Sequence, residues 1–315
     1  MTVKTDRLVT LFGGGGFLGR YVAQALLAAG ARIRVASRTP RRAFYLKPLG
    51  GLGQVQLVRA DITDMGSVTA AVADADAVIN LVGTFGSSMH AVHVGGARHV
   101  AEAASAAGVE ALVHVSAIGA DPESDSLYGR TKGEGEIALR EAFPGATIIR
   151  PSIAFGAEDN FLNRFARMAQ WLPFVPVIRP GWRLQPVHAA DLGRAIAQAA
   201  LDPRTHRGAT YELGGPQAMT MRELNQWICR ATGRDRPLAD IPDPVGRMIA
   251  RLTGWLPGAP LSWDQWLMME KDNVASGELP GFEAFGIRPA PVAAVAGEWL
   301  TLYRRHGRFA KPSPY

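Results

Sequence analysis

The chain has one cysteine, Cys229, in 315 residues. No intrachain disulfide can form, and no pair of thiolates can open a zinc site of the usual spacing, so a reducing compartment is expected and a metal is not. Long hydrophobic runs are also missing, because Pro or Arg interrupts every apolar stretch before the ~20 residues that cross a bilayer. Membrane contact is therefore expected to be peripheral. The opening residues, MTVKTDRLVTLF, lead straight into a strand-like segment with neither an apolar h-region nor a small-residue cleavage site, and no secretory signal is expected. The charge is unbalanced by only +6, from 34 Lys plus Arg against 28 Asp plus Glu. Apart from Arg38, Arg41 and Arg42 and the tail Arg304, Arg305, Arg308 and Lys311, the basic residues are scattered, and no nucleic-acid reading motif accompanies them.

What is present is a globular composition, 47% hydrophobic and 20% charged, in a chain long enough for about two domains. Short β-branched runs at Leu8–Phe12, Arg32–Ser37, Val55–Ala60, Ala77–Val82, Ala111–Ser116 and Thr147–Arg150 alternate with Ala-rich helical patterns such as Phe17–Ala29 and His93–Ala107. That alternation predicts an α/β fold, a doubly wound Rossmann-type parallel sheet whose strands are covered on both faces. After Arg150 prolines and tryptophans become frequent, so residues 1–155 are read as the nucleotide domain and 156–315 as a smaller C-terminal α/β lobe, with 183–213 returning to the first. Thr220-Met-Arg-Glu223 predicts a capping box opening a helix through Cys229. Phe161–Trp171, with apolar residues at 161, 162, 165, 168 and 171, predicts an amphipathic helix whose apolar face meets either the lobe's own core or a partner or headgroup surface.

The chemistry concentrates at the ends of the predicted strands. Gly13, Gly16 and Gly19 make a G-x-x-G-x-x-G between the first strand and the first helix, where glycines allow a tight turn and a pyrophosphate can face the free N–H groups of the helix N-terminus. The second strand ends Ala36-Ser37-Arg38-Thr39, without the carboxylate that would accept the ribose hydroxyls of NAD(H); Arg38 instead offers planar donors to a 2′-phosphate, so NADP(H) is expected, with NAD(H) as the alternative. Asp61-Ile62 after the third strand is placed to meet an adenine amino group, and Leu81-Val82-Gly83 after the fourth leaves room for the middle of a dinucleotide; Asp61 as a helix cap and Gly83 as a simple turn are the plainer readings. Tyr128 and Lys132 fall on one face of a helix, where the ammonium can lower the phenol pKa and bind ribose hydroxyls, while Ser116 can meet a carbonyl. Cofactor binding alone also explains the Tyr and Lys. His114, His188 and Cys229 have no ligand cluster about them and carry no expected role.

The glycine pattern, Asp61, Leu81-Val82-Gly83, Ser116, Tyr128 with Lys132, and Arg150-Pro-Ser-Ile-Ala-Phe-Gly156 occur in the order of the short-chain dehydrogenase/reductase superfamily, and the chain resembles its extended, atypical branch. Tyr128-Gly-Arg-Thr-Lys-Gly-Glu-Gly-Glu136, Gln185-Pro-Val-His188 with Asp191, and above all Leu261–Ser276 make it similar to bacterial relatives of the nucleotide-binding accessory subunit of respiratory complex I, the alpha subcomplex subunit nine family. That resemblance implies a protein that holds NADPH tightly without established turnover and docks peripherally near the quinone-binding end of the complex, on the cytoplasmic face of a bacterial inner membrane. The cofactor residues it implies are Gly13, Gly16, Phe17, Leu18, Gly19, Ser37, Arg38, Asp61, Ile62, Leu81, Val82, Gly83, Tyr128 and Lys132, and its candidates for chemistry are Ser116, Tyr128 and Lys132. The run of four glycines, Gly13 to Gly16, departs from relatives that often carry one larger residue there. The rival expectation is a free-standing NAD(P)H-dependent reductase or epimerase, with a nucleotide-sensing regulator as a third.

Overall fold

A computed structural model describes residues 6–256, 261–305 and 307. Of the basic tail, Arg308 and Lys311 lie outside the described residues. The chain divides into two compact units, the first made of 1–151, 189–213 and 276–288, the second of 152–188, 214–275 and 289–315.

In the first unit, strands β1 (Leu8–Phe12), β2 (Arg32–Ser37), β3 (Val55–Arg59), β4 (Ala77–Asn80), β5 (Ala111–Val115) and β6 (Thr147–Pro151) alternate with helices α1 (Phe17–Ala28), α2 (Met65–Val72), α3 (Gly96–Ala106) and α4 (Leu127–Ala142). A seventh strand, Thr210–Leu213, joins them in one parallel sheet of order Thr210–Leu213, β6, β5, β4, β1, β2, β3. The order reverses at β1, so the carboxyl ends of β1 and β4 open the crevice where ligands of such sheets sit. The covered-strand expectation holds for β4 and β5, which are buried at every position, but β3 is an edge strand and leaves Gln56 and Arg59 exposed.

Helices cover the sheet through small residues. Val68, Val100 and Leu139 from α2, α3 and α4 pack with Phe12, Val78 and Leu112 into one cluster, each fully buried aliphatic side chain contributing ~1.5–3 kcal/mol. Helix Ala189–Leu201 lies along α1 because Gly193 lets the backbones close up: a Cβ there would sit 2.7 Å from the Tyr21 carbonyl carbon. Glu136 of α4 grips Arg150 of β6 through two hydrogen bonds, 2.9 Å from Nε and 2.6 Å from Nη2. Residues 276–288, read from sequence as part of the C-terminal lobe, join this unit instead: Glu212 Oε2 accepts from the Ser276 N–H at 2.6 Å, and the Glu212 N–H donates to the Pro280 carbonyl at 3.1 Å.

The second unit pairs short strands around a core of Phe155, Leu162, Leu184, Leu224, Trp266 and Leu300. The Thr220–Glu223 capping box forms and opens helix Met221–Ala231. The family-like segment works as a staple inside this unit over residues 261–275. Ser262 and Gln265 cap helix Trp263–Met268, Trp266 is buried beneath the Arg179 guanidinium at 4.0 Å from its ring centroid, and Asn273 accepts from Ser152 Oγ and the Ile153 N–H through its side-chain oxygen. Helix Leu162–Trp171 buries Leu162, Asn163, Ala166 and Ala169; Phe161 and Phe165 of the expected stripe are half-buried against the unit's own core, whereas Trp171 at its end is 79% exposed.

Candidate functional site

The turn from β1 into α1 is shaped by glycine for two separate reasons. Gly13 sits at φ +79°, the left-handed region, and lies so close to the end of β4 that a Cβ would come 3.2 Å from the Leu81 carbonyl carbon. Gly19 packs over Gly14, where a Cβ would overlap the Gly14 carbonyl group. The N-cap, Gly16, is exposed and supplies no side-chain cap, and the first turn of α1 carries no acidic residue. Its N–H groups and positive dipole end therefore remain available to an anion from outside the chain. Phe17 and Leu18, half-buried, begin that helix.

At the end of β2 the Ser37 hydroxyl is buried without a hydrogen-bond partner, and Arg38 next to it is exposed. Across from them Asp61 follows β3. Its carboxylate accepts from the Thr63 N–H at 3.0 Å and the Thr63 hydroxyl at 2.8 Å; those bonds, with the Arg38 charge nearby, hold its pKa below the usual carboxylate value. Asp61 is not the cap of α2, a place taken by Asp64. Ile62 turns inward: it is buried against Gly96, where a Cβ would meet Ile62 Cγ1 at 2.9 Å, and its carbonyl accepts from His99 Nδ1 at 3.1 Å.

The carboxyl ends of β4 and β5 meet α4. Lys132 is 3% exposed and its ammonium donates to the Val115 carbonyl at 3.0 Å; burial pulls its pKa down to about 8, opposed by the Glu136 charge. The Lys132 ammonium stands 6.0 Å from the Tyr128 ring centroid, and an added Cβ on Gly83 would lie 3.6 Å from it, so Leu81-Val82-Gly83 passes beside the lysine. Ser116, at the end of β5, has a buried hydroxyl with no partner.

Around this pair the structure gathers residues that the sequence reading left without a role. His93 is 2% exposed in a π-helical turn, Ala91–Gly95, that Gly135 of α4 admits. The Thr84 N–H can only donate, so His93 Nε2 accepts it at 3.0 Å and the ring proton sits on Nδ1, which donates to Thr131 Oγ1 at 2.9 Å; the Thr131 hydroxyl in turn donates to the Leu127 carbonyl at 2.8 Å. The imidazole is held neutral, and burial with the Lys132 charge beside it brings its pKa down to about 3. His114, bonded to Asn80 at 3.2 Å, is pushed well below the ordinary histidine value by burial first and by Lys132 and His93 second. Phe85 stacks on Tyr128. No spacing in the sequence announces these contacts, since Thr131 lies 38 residues beyond His93.

The residues present fit a dinucleotide: an uncapped helix N-terminus for a diphosphate, an orphaned Ser37 hydroxyl with an exposed Arg38 at the adenosine end, and Lys132 with orphaned Ser116 at the other. Among the described residues no group of three or more His, Cys, Asp or Glu gathers to hold a metal ion, and no helix is long and apolar enough to cross a membrane.

The NAD(P)H-binding family matches residues 13–153, which makes this part of the chain a nucleotide-cofactor domain. The chain is 34% identical over 307 residues to NADH dehydrogenase (ubiquinone) 1 alpha subcomplex subunit 9 of Rattus norvegicus, covering 95% of this chain and 81% of that protein. It is 32% identical over 310 residues to the NADH-ubiquinone oxidoreductase 40 kDa subunit of Neurospora crassa, covering 96% and 81%. Among solved structures, an NADPH-dependent quinone oxidoreductase of Escherichia coli complexed with NADPH superposes with a TM-score of 0.75 at 21% identity over 93% of this chain and 99% of that one, a likeness of fold.

Proposed function

The chain belongs to the alpha subcomplex subunit 9 family of NADH dehydrogenase (ubiquinone), and from that premise we propose that it is an accessory subunit of such a complex that holds NADP(H) as a structural or redox-sensing group. The observation that carries the choice of nucleotide is the end of β2, where Arg38 and the orphaned Ser37 hydroxyl stand in place of a carboxylate. A guanidinium pairs a 2′-phosphate with two parallel hydrogen bonds, whereas a carboxylate would repel it. Gly13, Gly16, Phe17, Leu18 and Gly19 then take the diphosphate at the start of α1, Asp61 and Ile62 border the adenine, Leu81, Val82 and Gly83 lie along the middle, and Tyr128 and Lys132 hold the second ribose. Bound to the folded chain alone, the nucleotide stabilises it by mass action.

Peripheral seating on the cytoplasmic face of a bacterial inner membrane, near the quinone-binding end of the complex, belongs to the same proposal. It is supported by exposed apolar residues of the second unit: Trp171, Leu172 and Phe174, and the outer face of helix Asp243–Thr253 with Val245, Met248 and Leu252, continued by Trp255 and accompanied by exposed Arg247 and Arg251. The competing reading, a reductase or epimerase with Tyr128 as proton donor, is favoured by two observations, the buried ammonium beside the Tyr128 ring and the orphaned Ser116 hydroxyl. Mass spectrometry of the nucleotide released from purified protein tests the first reading, with NADP(H) expected. Arg38→Glu should weaken NADPH binding by about tenfold or more and NADH binding far less; equal effects on both, or no nucleotide affinity at all, would remove it. Co-migration with NADH:quinone oxidoreductase activity after gentle solubilisation separates the accessory role from the free enzyme.

A further inference from the structure

One face of the Tyr128 ring is covered by the chain itself. The Phe85 ring lies nearly parallel to it, 4.7 Å between centroids and 15° between planes, and His93 meets it edge-on at 5.4 Å. Two rings in contact leave no gap; a planar third group between them needs a separation of about 7 Å, twice an ordinary carbon contact. Phe85 is nonetheless 53% exposed, so the core does not trap it. It stays because the preceding Thr84 N–H is tied to His93 Nε2 at 3.0 Å, and His93 is itself fixed through Thr131 to the first turn of α4, the turn that carries Tyr128. Gly83 and Gly86 bracket the pair; Gly86 sits at φ +102° with open space where a Cβ would be.

We infer that Thr84-Phe85 is a plug latched by His93 over Tyr128, so that a planar group can stack on that face of the Tyr128 ring only by displacing Phe85. The plug deepens the reading of a nucleotide held without turnover and takes its biological meaning from that reading, but its geometry belongs to the chain alone. Phe85 is the residue that decides access. His93 is a positioning residue: neutral, it accepts the Thr84 N–H, and it touches no substrate.

Nitration of the nucleotide-free protein by tetranitromethane, followed residue by residue with mass spectrometry, reads the plug directly, and NADPH titration of the same samples reads the nucleotide site. Tyr128 should nitrate slowly in the wild type and about tenfold faster in Phe85→Ala, the scale of a lost aromatic pair. The same gain is expected in His93→Leu, which cannot accept the Thr84 N–H, with return toward the wild-type rate in His93→Gln, which can. Tyr45 and Tyr303 serve as internal controls and should not change. An unchanged Tyr128 rate in Phe85→Ala overturns the plug, whatever the histidine variants do. Lost NADPH binding with the nitration pattern intact would instead overturn the nucleotide reading and leave the plug standing.

Discussion

The Lys132 ammonium donates to the Val115 carbonyl at 3.0 Å from a side chain that is 3% exposed, which seats a cation at the carboxyl end of β5. In the unfolded chain that amine titrates near 10.5, and in the fold near 8. Between those values the unfolded state binds more protons, so stability rises with pH, by up to ~1.4 kcal/mol per unit and about 3 kcal/mol across the window; below pH 8 the full cost of burying the charge is present. Urea midpoints at pH 7.5 and 9.5 should show this gain in the wild type relative to Lys132→Met, which removes the titration. NADPH affinity should move the opposite way, falling above pH 8 as the ammonium is lost. Parallel pH profiles of wild type and variant would contradict the assignment.

Two buried histidines make the fold sensitive to acid. His93, at about 3, and His114, well below 6.5, stay neutral in the native state, whereas both are protonated in the unfolded chain below about 6.5. Stability should therefore fall as pH drops from 6.5, each histidine contributing up to ~1.4 kcal/mol per unit. His114→Asn should lower stability at pH 7 by removing the imidazole nitrogen that accepts from Asn80 Nδ2, yet flatten the slope between pH 6.5 and 4.5 in thermal unfolding.

The sheet was legible because its strands are short β-branched runs between Ala-rich helices, and five of the six expected runs match the observed strands to within one residue, while Ala77–Val82 ends two residues earlier, at Asn80. The crossover of helix Ala189–Leu201 could be anticipated from its Ala-rich pattern, although the close approach that seats it depends on Gly193 alone. Residues 276–288 were not legible. They are held by the Glu212 carboxylate on the Ser276 N–H, by the Glu212 N–H on the Pro280 carbonyl and by Phe285 stacked on His206, isolated long-range contacts that impose no periodicity on the segment. The phosphate-end glycines and the Tyr128–Lys132 pair are local in sequence and could be read there. The chain from Thr84 through His93 to Thr131 is long-range and passes through a π-helical turn, which no hydrophobic period encodes.

Glu136 and Arg150 share one double hydrogen bond, with side chains 7% and 25% exposed. Losing one partner strands the other in a poorly solvated place, at a cost of ~3 kcal/mol, whereas replacing both by apolar groups of similar volume costs much less. Glu136→Ala and Arg150→Ala should each lower the unfolding free energy by about that amount, and Glu136→Met with Arg150→Met should lose less than the sum of the single Met replacements. Additive losses in urea unfolding would show that the two side chains act independently.

Along helix Asp243–Thr253 the buried side is narrow, with Gly246 pressed on Trp266 and Ala250 in the core, while Val245, Met248 and Leu252 are 40%, 55% and 64% exposed and Trp255 beyond them 77%. An apolar stripe of that size bordered by Arg247 and Arg251 has the makeup of a surface that rests in the headgroup region of an anionic bilayer, the aliphatic groups entering the acyl boundary and the guanidinium groups meeting phosphates. Burying Leu252 alone is worth ~1.5–3 kcal/mol, so Leu252→Glu should reduce co-sedimentation with phosphatidylglycerol vesicles by about tenfold or more. Because the side chain already faces solvent, the substitution should leave thermal stability and nucleotide affinity nearly unchanged. Arg247→Gln with Arg251→Gln should weaken binding to anionic vesicles and barely alter binding to neutral phosphatidylcholine. Equal sedimentation of wild type and Leu252→Glu would exclude this face from lipid contact and return it to a protein partner.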